Sequence, residues 1–151
     1  MAQNQNVSPE VKSAIADSVK ASNSPTADDK KGGYHEEGGI WGTTTSGNTV
    51  VVPAQPGPYS GPNDKTAHID PGNSANPALK DNLQSVDGTW HVHPKGGADK
   101  GFVQPPSAQD KANAAASINI VVGAGNKRVY FYNSTGVTRE MSLKDFMKEP
   151  Q

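Results

Sequence analysis

Glycine and proline set the tightest limits on what this chain can fold into. Its 151 residues include 16 Gly and 12 Pro, and these two residue types interrupt helices and sheet ladders. Six of the prolines fall between Pro53 and Pro77, and a second Gly/Pro-rich stretch runs from Lys95 to Pro106. The first leaves room for no more than a short strand around His68 and Ile69. Regular structure is thus confined to a few windows, and those windows must supply the core. Leu, Ile, Val and Phe together number 24, a small apolar stock. The net charge of −1 nevertheless lacks the imbalance that keeps weakly hydrophobic chains unfolded. The length suits one domain with long polar loops.

The windows differ in period. In the polar lead-in, residues 1–33, Ser8 can cap a helix, Pro9 fits its first turn, and Val11, Ile15 and Val19 recur every fourth residue, which predicts one short amphipathic helix. Asn23 to Gly33 reads as a linker, and residues 34–151 as the main domain. From Ile40 the pattern turns to strand: GIWGTTT and NTVVVPA flank Ser46, Gly47 and Asn48 and predict a hairpin. Ala78 to Leu83 is a candidate short helix, and Gly88 to His93 alternates as a strand that Pro94 ends. Ser107 to Ser117 reads as a capped, alanine-rich helix. INIVVGAG follows as a strand buried on both faces, RVYFYNS as its hairpin partner, and Met141 to Lys148 as a closing helix. The fold class expected is α/β (α+β), a mixed sheet flanked by helices.

Composition excludes several function classes. Fourteen basic residues against fifteen acidic ones create no field to draw in nucleic acid or an anionic membrane. No apolar run reaches the length of a membrane span, and MAQNQNVSPE has neither the charged nor the apolar region of a secretory leader. With no cysteine, disulfides, thiolate zinc sites and a cysteine nucleophile are all excluded, so any metal must sit on His, Asp or Glu.

The chemistry concentrates in Trp90-His91-Val92-His93-Pro94, followed by Pro106-Ser107-Ala108-Gln109-Asp110. Residues i and i+2 of a strand share a face, so His91 and His93 converge while Val92 points away. A catalytic zinc takes three protein ligands and an open position for water, and Asp110 is available as the third. Plainer readings exist. A His-x-His pair also occurs on ordinary solvated strands, and Ser107-x-x-Asp110 is equally a helix capping box. Trp41 and Trp90, beside these positions, are expected in the core.

Taken with Glu36-x-x-Gly39-Ile40 upstream, the pattern resembles the JAMM motif of the JAB/MPN zinc metalloprotease family, over roughly residues 34–135. The resemblance implies a JAB/MPN-like layout, similar to that of cytidine deaminases. It also implies a zinc-dependent metallopeptidase or isopeptidase with Zn2+ held by His91, His93 and Asp110. Glu36 would be the general base on the metal-bound water, and Ser107 would steady the oxyanion. Glu37 takes the place of Glu36 if the chain enters its strand one residue later. The loop between His93 and Ser107 is about six residues longer than is usual in the family, an insertion that a surface loop tolerates. Two rival motifs fail: His35-Glu36 lacks the second histidine of H-E-x-x-H because position 39 is Gly, and the base-deaminase pattern needs cysteines.

The implied partner is a protein or peptide substrate, ubiquitin-like chains included. A looser similarity, to JAB-like domains at the tail of bacterial polymorphic toxins of the Rhs kind, implies a piece of a larger secreted protein with an immunity protein as partner. The alternative is a non-catalytic module that uses the same sheet for binding or scaffolding, with the histidines empty.

Overall fold

The computed structural model describes residues 7–22, 37–53, 83–93 and 116–148, together with Pro106, Lys111 and Ala114. In chain order the elements are α1 (Pro9–Ser22), β1 (Glu37–Thr44), β2 (Thr49–Pro53), β3 (Leu83–His93), β4 (Ile118–Gly123), β5 (Arg128–Asn133), β6 (Gly136–Ser142) and α2 (Leu143–Lys148). The strands form one sheet in the order β2-β1-β3-β4-β5-β6. Pairing is antiparallel except between β3 and β4, which run parallel. This is the mixed α/β sheet with helices that the sequence predicts. Nothing in it picks out a JAB/MPN or deaminase layout in particular.

The helix expected over the N-terminal repeat of valine and isoleucine is α1, and it lies on the sheet. Val11 and Ile15 are buried and Val19 packs partly buried beside them, the stripe expected of the helix, and Val7, just before the helix, is buried with them. Ser8 contributes differently from the expected cap: its carbonyl accepts the Lys12 N–H at 3.0 Å, while its hydroxyl is buried without a hydrogen bond. Glu10 in the first turn and Lys20 in the last complement the helix dipole.

Beneath α1 lies the main core, built from Trp41, Trp90, Val92, Ile120, Val122, Val129 and Phe131, with Phe146 from α2. Two glycines make room for the indoles. Trp90 stands opposite Gly39 and Trp41 opposite Gly88 in the β1–β3 register, and a Cβ on either glycine would collide with the facing indole. The rings pack at 6.3 Å between centroids, tilted by 33°. Trp90 Nε1 donates to Ser18 Oγ at 3.0 Å, and Ser18 Oγ donates in turn to the Ala14 carbonyl at 2.9 Å. The buried indole N–H is thereby satisfied.

The hairpin of β1 and β2 turns at Gly47, whose φ of 86° is the left-handed region that glycine enters without strain. β4 is buried along most of its length, and β5 returns antiparallel to it as expected. At the C-terminal end the expectation needs adjustment. Gly136 to Ser142 forms β6, so the closing helix starts at Leu143 rather than Met141. Asn133 makes the β5–β6 turn: its side-chain oxygen accepts the Thr135 N–H at 2.8 Å and the Gly136 N–H at 3.2 Å. Ser142 Oγ then accepts the Asp145 N–H at 3.0 Å and caps α2.

β3 is longer than the sequence predicts, beginning at Leu83. The rest of the helix expected at 78–83, the strand expected around His68, and most of the helix expected at 107–117 lie outside the described residues.

Candidate functional site

Strand alternation places His91 and His93 on the face of the sheet away from the indoles. The parallel register carries Thr89, His91 and His93 beside Asn119, Val121 and Gly123, and the next strand adds Tyr132 and Tyr130 opposite Asn119 and Val121. On the other flank, Gly38 stands opposite His91. A Cβ at position 38 would come within 2.5 Å of the Trp90 carbonyl oxygen and 3.0 Å of His91 Cα, so glycine there lets β1 lie close beside the histidine.

The two imidazoles meet. Their Nε2 atoms are 3.2 Å apart, a hydrogen bond in which one ring donates and the other accepts. The ring centroids lie 5.0 Å apart, and Tyr132 meets His91 edge-on at 6.4 Å. Both rings are buried, His91 at 2% and His93 at 7% exposure. His91 Nδ1 is buried without a hydrogen bond, while the polar groups around the pair bond to one another. Thr89 Oγ1 donates to Asn119 Oδ1 at 3.2 Å, Asn119 Nδ2 donates to the Ala116 carbonyl at 2.8 Å, and Asn126 Nδ2 donates to the Tyr130 hydroxyl at 2.6 Å. Sequence reasoning missed Asn119, Tyr130 and Tyr132. Their signal was available, since alternation along RVYFYN sets both tyrosines on one face, but the face itself was decided by the strand order.

The same alternation settles one alternative left open by the sequence. Glu37 pairs with Val92 and so belongs to the face of the indoles, away from the imidazoles. Glu36, Ser107 and Asp110 lie outside the described residues.

The zinc expectation is corrected at this point. Among the described residues no group of three or more His, Asp or Glu side chains is placed to hold a metal ion. The register explains it: the positions flanking the two histidines on their own face are Gly38, Ile40, Asn119, Val121, Gly123, Tyr130 and Tyr132, and none carries a carboxylate. Among the described residues a three-ligand zinc centre with an open coordination position is therefore not assembled, and their donors alone do not fit Zn2+. With it go the JAMM assignment to the JAB/MPN family, the metallopeptidase, isopeptidase and hydrolase activity, and the toxin-domain reading that depended on them. No family model, curated protein or solved structure matches the chain.

Proposed function

We propose that this domain is a non-catalytic binding or scaffold module whose partner is another protein. The observation that carries the reading is the burial of the imidazole pair: His91 and His93 bond to each other beneath the surface of the fold and so act as an internal polar clasp on β3. A buried, hydrogen-bonded polar pair specifies how strands pack and offers little to a substrate. The choice of a protein partner over nucleic acid or a membrane rests on charge, with 14 basic and 15 acidic residues in the chain and no attraction for a polyanion. Among the described residues no helix is long and apolar enough to cross a membrane.

The test is thermal unfolding of the full chain with excess EDTA and with one equivalent of Zn2+, followed by circular dichroism. A module of this kind melts at the same temperature in both. A zinc-dependent rise in Tm that His93→Ala abolishes would overturn the reading.

A further inference from the structure

The sheet ends in two unlike edges. At one end, β6 exposes Val137, Thr138, Arg139 and Glu140, and its register with β5 shifts between Phe131 and Tyr132. Charged side chains and a bulge are the devices that protect an edge strand from pairing. At the other end, β2 is Thr49-Val50-Val51-Val52-Pro53. It carries no charge, and its register with β1 is regular from Gly39↔Pro53 to Thr43↔Thr49. Among the described residues it has a strand on one side only.

The hairpin geometry says which backbone groups of β2 face outward. Thr44 N–H donates to the Asn48 carbonyl at 2.9 Å, which fixes the phase. Hydrogen-bonded and non-hydrogen-bonded pairs alternate along an antiparallel ladder, so Val50 and Val52 bond to β1 while Thr49, Val51 and Pro53 turn their polar backbone groups away from it. Proline therefore stands where its missing N–H costs no bond to β1.

We infer that β2 is a self-association edge, on which β2 of a second copy of this chain pairs antiparallel about a two-fold axis at Val51. The strand is self-complementary in that register. Val51 faces Val51, Val50 faces Val52 and Thr49 faces Pro53, so no like charges meet. Four hydrogen bonds close the ladder: Val51 N–H to the Val51 carbonyl of the other copy, Thr49 N–H to its Pro53 carbonyl, and the two symmetry mates. On β6 the corresponding axis at Arg139 would set arginine against arginine. The second copy is thus favoured on β2 by the same criterion that disfavours it on β6. The pairing continues the sheet from one copy into the next. Its short ladder makes a weak dimer, with Kd on the order of 0.1 mM. This rests on strand geometry alone and stands or falls independently of the non-catalytic reading.

Thr49 and Pro53 are exposed, and the natural chain has no cysteine, so cross-linking tests the inference without touching the core. Equimolar Thr49→Cys and Pro53→Cys full-length chains, oxidised together near the dissociation constant, are expected to give the mixed disulfide about tenfold faster than Val137→Cys chains give theirs, because paired strands hold the thiols within bridging distance. Sedimentation equilibrium of the unmodified chain should show a dimer that grows with concentration and that Thr49→Pro abolishes, because proline at 49 removes two of the four ladder bonds and none to β1. Equal rates for the β2 and β6 thiols, a strict monomer up to about ten times that Kd, or a dimer that Thr49→Pro leaves intact would each overturn it. A monomer that instead binds a synthetic TVVVP-containing peptide would also overturn the two-fold dimer.

Discussion

On the face that α1 covers, β1, β3, β4 and β5 contribute Trp41, Trp90, Val92, Ile120, Val122, Val129 and Phe131. On the opposite face, β3, β4 and β5 contribute Thr89, His91, His93, Asn119, Val121, Tyr130 and Tyr132. Shifting by one residue along β3 moves from an indole to an imidazole. The first face is held by area: large apolar side chains removed from water, at roughly 25 cal/mol per Å² of apolar surface. The second is held by matched hydrogen bonds, each worth about 1 kcal/mol net but costing more when one partner is lost. The contrast teaches that the residues richest in chemistry, His91 and His93, are spent on joining the polar face rather than offered to solvent.

That contrast can be broken or sharpened by substitution, with stability read by urea denaturation. Trp90→Ala should have the largest effect, about 3 to 5 kcal/mol, because it empties the space between α1, Trp41 and Gly39. Gly39→Ala should cost about 1 to 3 kcal/mol by overpacking the same indole. On the polar face, His91→Ala should cost about 1 to 3 kcal/mol, leaving His93 without its ring partner. A loss as large as that of Trp90→Ala would erase the distinction between the faces. Ser18→Ala should cost about 1 kcal/mol by removing the acceptor of the Trp90 N–H. Its effect should vanish in a Trp90→Phe background, a double-mutant cycle that isolates the bond. Smallest of all, Glu140→Gln removes the exposed Arg128–Glu140 pair, 3.0 Å long, and should change stability by no more than about 0.5 kcal/mol.

The α1 stripe, the β1–β2 hairpin, the apolar β4 and the shared face of His91 and His93 could all be read from local pattern, because each depends on a period of 3.6 or 2 within a few residues. Elements that depend on distant partners were less legible. β6 is an exposed strand without apolar alternation, and only its pairing with β5 makes it a strand at all. The extension of β3 back to Leu83 has the same cause, since Thr43 and Thr44 of β1 pair with Ser85 and Leu83, and Thr43 Oγ1 donates to Asp87 at 2.6 Å. The candidate site was half legible. The convergence of the imidazoles followed from spacing, but spacing does not say what stands across from them. The strand order put glycine, asparagine and tyrosine on that face, and it turned Glu37 to the other.

Sequence alone determined α1, the β1–β2 hairpin, β4 and β5, which β3 residues share a side, and that cysteine chemistry was closed to this chain, since each follows from residue identity and local period. Only the tertiary structure decided that α1 closes over two indoles seated on glycines, that the histidines bond to each other under cover, and that, among the described residues, one edge strand carries charge and a bulge while the other carries neither. Those outcomes depend on which strands become neighbours, and neighbours are chosen by packing summed over the whole sheet rather than by any one segment.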